Sequence, residues 1–238
     1  MRYSGSLVKK EREEIFRMFL GDNKLKFNEI EKKLEIRSNM VSYHLDKMQE
    51  EGLLEKKGMY YYLTKEAERY LPILPHITGE GMSPLPVVLV AVIKDERILL
   101  IKRKRRPYKG YWSLVGGKML IEESFEQASK RLVKEKTGLD CQFVSTNAIL
   151  HEQVKGDEII KHSFILFFTK VSVETNELKE SEHGKPDWFD INKLEKVIPS
   201  DEWLILNKLN SKNKITEAVM EEKEGKLTSF NLNNNYKQ

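Results

Sequence analysis

Between residues 102 and 138 the chain gathers cations, a glycine pair and spaced carboxylates. The run Lys102-Arg103-Lys104-Arg105-Arg106 precedes Gly116-Gly117, and Glu123, Arg131 and Glu135 follow. Guanidinium groups beside a glycine turn offer planar donors and open backbone N–H groups, which together cradle a phosphate or carboxylate. Arg103, Arg105, Arg106, Gly116 and Gly117 are therefore the ligand-binding candidates. Part of the basic run alternates along a strand, so some of its charges simply face solvent. Glu123 and Arg131 are expected to pair and hold a loop against a helix.

That helix is expected over residues 124–136, stopped by Thr137-Gly138. Positions 132, 135 and 136 stand at i, i+3 and i+4, so their side chains converge on one face. The residues there are Leu132, Glu135 and Lys136: a hydrocarbon, an acid and a cation. Leu132 also continues an apolar stripe with Phe125 and Ala128, which fits a place in the core. Residues 85–93 are almost continuously apolar and predict a strand buried on both faces. Residues 98–101, 142–154 and 159–173 add strands, and Trp188-Phe189-Asp190 leads into an expected short helix over 191–194. A last helix after Pro199-Ser200 is expected to turn Trp203, Leu204, Leu206 and Leu209 inward.

Before these elements the pattern is helical. Residues 13–20 and 27–34 carry apolar stripes, and Ser38 is read as the N-cap of a third helix burying Val41, Leu45 and Met48. Its other face offers Asn39, Ser42, Tyr43 and Lys47 to solvent. Lys57-Gly58 between β-prone runs predicts a hairpin, with Lys56 and Lys57 at its turn. His44 has no second His or Cys nearby and reads as a satisfied packing residue; Tyr60-Tyr61-Tyr62 reads as a packed strand.

Four of seven prolines (Pro72, Pro75, Pro84, Pro86) lie in residues 71–86 with Gly79 and Gly81, a connector composition. The expected division is a first domain at 1–75, a linker at 76–86, a second domain at 87–227 and a polar tail at 228–238, frayed from Asn231. Hydrophobic residues make up 39% and charged ones 33% of 238, which suits a soluble protein with two domains of ordinary size. Lys94, Asp95, Glu96 and Arg97 interrupt the best apolar run, so no membrane span is expected. The start lacks the apolar core of a secretory signal, and the single cysteine excludes an intrachain disulfide. A cytoplasmic location is expected on these grounds. The net charge of +4 permits nucleic-acid contact without demanding it.

Two resemblances follow from the residues. Residues 8–72 resemble a winged helix-turn-helix of the ArsR/MarR-like kind. Ser38-Asn39-Met40-Val41-Ser42-Tyr43-His44-Leu45, Gly52-Leu53-Leu54 and the Tyr62-Leu63-Thr64 exit carry the likeness. It implies that the helix from Ser38 enters a major groove. Ser38, Asn39, Ser42, Tyr43 and Lys47 then meet bases or phosphates, and Lys56 and Lys57 touch backbone. Winged helices also serve as dimerisation or docking modules, and Glu29, Glu31, Asp46, Glu50 and Glu51 offset the lysines here.

Residues 86–225 resemble a Nudix domain. Gly117, Glu123, Arg131, Val133, Glu135, Gly138 and Leu139 fall at the spacings of the Nudix box. The expected fold class is α+β with two domains: a winged helix, then a Nudix α/β/α sandwich with a mixed sheet. In that family the box glutamates hold Mg²⁺, which polarises a diphosphate and activates water. This chain has Leu132 and Lys136 where the box asks for glutamates. Exchanging attraction for repulsion of unit charges 4 Å apart is worth at most ~8 kcal/mol at an effective dielectric near 20. The vestigial catalytic set is thus Glu123, Arg131 and Glu135, with Glu135 the one remaining box metal ligand.

The Glu135-Lys136-Thr137-Gly138 ending is similar to Nudix-related transcription regulators, although their domain order is the reverse. The resemblance implies a homodimeric regulator of double-stranded DNA that senses an ADP-ribose-like or other phosphorylated metabolite, without a required cofactor. The alternative is a hydrolase of nucleoside diphosphate derivatives using Mg²⁺. Its metal ligands would come from outside the box, among Glu152, Asp157, Glu158, Glu177, Glu180 and Glu182. A scaffold that binds only protein is a third reading.

Overall fold

The computed structural model describes residues 4–78, 83–105, 108–156, 158–223 and 226–233. The chain divides into two compact units, Met1–Ser83 and Pro84–Gln238. Arg106 and Asp157, and Gly79 and Gly81 of the expected connector, lie outside the described residues.

The first unit holds α1 (Ser4–Leu7), α2 (Lys10–Met18), β1 (Leu25–Lys26), α3 (Phe27–Leu34), α4 (Ser38–Glu50), β2 (Leu54–Lys57), β3 (Tyr60–Leu63), α5 (Lys65–Glu68) and α6 (Leu74–Thr78). Ile15, Phe16, Ile30, Val41, Leu45 and Met48 are fully buried at one centre, as their helical spacing requires. Strands β2 and β3 form the hairpin, turned at Gly58 with φ 61°, and β1 adds to its other side. Ser38 is not the N-cap of α4: Arg37 stands there, and the Ser38 hydroxyl donates to Glu31 instead. His44 is buried as expected, but among the described residues its Nδ1 has no hydrogen-bond partner, so it is not satisfied.

The proline-rich segment is shorter as a connector than its composition suggests. Pro72 sits in a 3-10 turn at Leu71–Ile73, Pro75 near the start of α6, and Leu74 is fully buried in the first core. Proline is tolerated at such first-turn positions, where its missing donor has no helical acceptor to serve. Leu85 and Pro86 already belong to β4, beside Phe164 and Ile165.

The second unit contains β4 (Leu85–Lys94), β5 (Arg97–Arg103), β6 (Trp112–Ser113), β7 (Val115–Gly117), α7 (Phe125–Thr137), β8 (Gln142–Gly156), β9 (Ile159–Ser172), β10 (Gly184–Asp190), α8 (Pro199–Lys208), β11 (Glu217–Lys223) and β12 (Lys226–Asn233). The main sheet runs β10-β5-β4-β9-β8, with β6 on β5 and β7 on β4. Among the described strands β4 and β9 pair in parallel and the other neighbours are antiparallel, so the sheet is mixed. Alternate residues of β4 serve opposite faces: Val88, Val90 and Val92 pack with α7, Leu89 and Ala91 with α8. That double burial explains the unbroken apolar run.

Three expectations fail in this unit. No helix forms at 191–194, because Asp190 accepts from the Asn192 and Lys193 N–H groups and closes a turn. Helix α8 is rotated from the expected face: Leu204, Ile205 and Leu209 are buried, while Trp203 and Leu206 are 45% and 57% exposed. Asp201, anchored one turn earlier to the Leu114 N–H, sets that face. Finally, the first residues of the segment expected to fray do not: Asn231, Leu232 and Asn233 pair with Val219, Ala218 and Glu217 in a hairpin, and residues 234–238 lie outside the described residues. Among the described residues no helix is long and apolar enough to cross a membrane.

Candidate ligand-binding cleft

Helix α7 is positioned from both ends. Ser124 and Gln127 form a reciprocal capping box at its start, and Gly138, at φ 78°, closes it. Within this frame Arg131 reaches back to the loop before the helix. Its guanidinium donates to both Glu123 oxygens (2.8 Å for Oε2), to Glu135 Oε2 at 3.1 Å and to the Lys118 carbonyl at 3.0 Å. Glu123 accepts as well from the Leu120 N–H at 2.8 Å. The Arg131 hydrogen bonds hold the Glu123 carboxyl below its ordinary range, against a smaller opposing push from burial.

The three residues of the converging face separate. Leu132 is 3% exposed and lies in the core against Gly117. Glu135 is exposed and bound to Arg131. Lys136 turns toward the glycine turn and its ammonium donates to the Gly116 carbonyl. Burial lowers the Lys136 pKa, with Arg103 adding to the effect.

Gly116, Gly117, Lys118 and Lys136 border a cleft of about 320 Å³, where Arg103 also lies. Val87, Leu89, Phe164 and Leu166 of the central strands supply an apolar wall, and Tyr108 a phenol. Glu152 and Asp201 bring carboxyl groups. Asp201 is 4% exposed and accepts from the Leu114 N–H at 2.8 Å. Burial, opposed by that hydrogen bond, raises its pKa to about 7. The cleft thus joins cations, an apolar wall and an acid able to donate or accept near neutrality, which suits an anionic ligand with an apolar part.

Of the expected ligand cradle, Arg103, Gly116 and Gly117 come together here. Arg105 does not: its guanidinium pairs with Glu182 at 2.9 Å, and neighbouring Lys104 pairs with Glu180. The two acids were expected as surrogate metal ligands, and these ion pairs engage both of them. Among the described residues of that surrogate set, Glu152 alone borders the cleft. Lys118, Tyr108, Phe164, Lys136 and Asp201 escaped the sequence reading as cleft residues. For Lys136 the sequence carries a signal, a cation on the converging face of α7.

The donor set does not fit a divalent ion at the box. Leu132 offers no oxygen, Lys136 already occupies the Gly116 carbonyl, and Arg131 engages Glu123 and Glu135. Among the described residues no three His, Cys, Asp or Glu side chains cluster as metal ligands.

In the first unit, Asn39, Ser42 and Tyr43 are exposed along one side of α4. Lys47 pairs with Glu50, Lys57 pairs with Glu55, and Ser42 lies 3.5 Å from Asp46. Lys56 stands over the Tyr61 ring, 5.2 Å from its centroid.

Comparison with known proteins adds the family. A NUDIX domain model matches residues 83–208. The chain is 33% identical over 135 residues to an ADP-ribose pyrophosphatase of Methanocaldococcus jannaschii, covering 56% of this chain and 77% of that protein. It is 28% identical over 123 residues to the ADPR responsive transcriptional repressor NtrR of Acinetobacter baylyi, 48% of each chain. The Nudix domain of Shewanella oneidensis NrtR, crystallised with ADP ribose, is similar at 17% identity and a TM-score of 0.46 over 60% of this chain and 96% of its own. The domain match spans the sheet together with α7 and α8, and on it the chain belongs to the Nudix family.

Proposed function

We propose that the protein is a cytoplasmic, DNA-binding regulator whose Nudix domain holds a phosphorylated, ADP-ribose-like metabolite without hydrolysing it. One observation carries this reading: the converging face of α7 presents core-buried Leu132 and carbonyl-bound Lys136 where hydrolysis needs metal-holding acids. The likeness to an ADPR responsive repressor and to an ADP-ribose pyrophosphatase supports the choice of ligand class. In this reading residues 1–75 are a winged helix-turn-helix. Helix α4 enters a major groove through Ser38, Asn39, Ser42, Tyr43 and Lys47, and Lys56 and Lys57 on the hairpin meet phosphates. The exposure of Asn39, Ser42 and Tyr43 on one side of α4 supports it. A homodimer reads two half-sites about 34 Å apart, and the metabolite favours one placement of the two reading helices.

The test combines three measurements on the full chain. ADP-ribose should raise the melting temperature, remain intact after long incubation with Mg²⁺, and alter a sequence-specific footprint on DNA. Association that is salt-sensitive but blind to sequence would remove the regulator reading.

Glu152 and Asp201 favour a second reading. Both line the cleft from outside the box, and an active hydrolase would use them in place of the missing box acids. It predicts Mg²⁺-dependent release of phosphate-bearing products from nucleoside diphosphate derivatives, abolished by Glu152→Gln.

A further inference from the structure

We propose that Lys136 is the resident cation of the cleft: its ammonium, seated on the Gly116 carbonyl, binds the ligand's phosphates and makes a divalent metal unnecessary. This rests on the metabolite-binding reading above and assigns the residue that anchors the anion.

The geometry supports it in three ways. An ammonium carries three donors, and among the described residues the one acceptor hydrogen-bonded to Lys136 is Gly116 O. Two donors are left at the wall of the cleft that Lys136 lines. Among the described residues no acid forms an ion pair with it: Glu135 hydrogen-bonds to Arg131 instead and acts on Lys136 only through its charge. Lys136 also stands in the last turn of α7, where the helix dipole places partial negative charge. An anion brought there meets repulsion unless a fixed cation intervenes. Half-burial strengthens that cation's pull on an anion, because less water screens it. Arg103 and Lys118 border the same cleft and extend the positive surface.

A purely structural Lys136, present only to cap the Gly116 carbonyl and the helix end, predicts something different. It predicts loss of stability on replacement and no specific effect on ligand affinity. The experiment titrates ADP-ribose, and separately inorganic diphosphate, into the full-length protein by calorimetry, once with EDTA and once with Mg²⁺. Wild type should bind equally in both buffers. Lys136→Gln, if folded by its melting curve, should bind roughly ten- to a hundredfold more weakly, the scale of a lost charge-assisted hydrogen bond. Lys136→Arg should retain binding. Lys136→Glu should bind in neither buffer, since Leu132 still offers no oxygen to a metal and Arg131 still holds Glu135.

Wild-type binding that requires Mg²⁺ would overturn the proposal while leaving the sensor reading intact. So would a folded Lys136→Gln of unchanged affinity. Should Lys136→Gln fail to fold, a wild type that binds only with Mg²⁺ would still overturn the proposal, and loss of affinity in a folded Lys136→Met would support it. Absence of wild-type binding to either probe in either buffer would instead overturn the sensor reading, and this inference with it.

Discussion

A Cβ placed on Gly117 would stand 2.5 Å from Leu132 Cδ2, so the glycine of β7 and the leucine of α7 share one volume. The glycine is required by that close approach rather than by an unusual backbone angle, since its φ is not positive. Leucine at 132 therefore packs the helix onto the strand in a place where the family box asks for an acid.

Gly117→Ala should destabilise the protein by about 1–3 kcal/mol, because Leu132 is held by the core and cannot easily yield. Leu132→Ala should cost about 2–5 kcal/mol through the cavity it leaves. The pair should be sub-additive by about 0.5–3 kcal/mol, since the alanine methyl partly fills the leucine's space. Urea unfolding of the four proteins measures this, and strict additivity would refute the shared volume.

Asp201 makes stability pH-dependent. Its folded pKa, about 7, lies above its value in an unfolded chain. The folded state therefore holds the proton more tightly. The resulting stabilisation is full below the unfolded pKa near 4 and is lost as pH rises through about 7. Melting temperature should fall across that window for wild type. Asp201→Asn keeps an acceptor for the Leu114 N–H without a charge to bury, and should flatten the slope.

Arg131→Ala should cost about 1–3 kcal/mol at neutral pH by leaving the poorly exposed Glu123 carboxylate without its partner. The sign at low pH is opposite to that of Asp201. Glu123 has a depressed folded pKa, so its contribution is present above the unfolded value and disappears as pH falls through the folded one. The deficit of Arg131→Ala should shrink on acidification, as read from acid titrations of the melting temperature.

On the proposed DNA face, Lys56→Ala and Lys57→Ala should each reduce the slope of log K against log salt by about 0.9 for every phosphate left without its cation. The Lys57–Glu55 pair is exposed on both sides and so offers little resistance to redirection toward a phosphate. Asn39→Ala and Tyr43→Ala should instead lower the preference for a specific sequence. Gel shifts over a salt series separate the two effects.

What the sequence determined by itself was local. Ser124, Gln127 and Gly138 bound α7 because caps act within one turn of the residues that make them. The paired Glu123 and Arg131 were legible because loop and helix adjoin in the chain. The two-faced β4 was legible because its apolar run could be buried no other way.

Tertiary structure decided the rest. Phe164, Glu152 and Asp201 reach one cleft only after β8 and β9 pair and α8 covers the sheet, and no periodic pattern links positions that far apart. Arg105 pairs with Glu182, 77 residues away, so composition suggested a cradle that topology partly redirects. The face of α8 followed the hydrogen bond from Leu114 to Asp201 rather than the most hydrophobic stripe. Lys136 could be named from the chain as a displaced acid. That its ammonium would dock on the Gly116 carbonyl depended on how strand β7 lies beside the last turn of α7, because a side chain's partner is set by packing in space and not by its spacing along the chain.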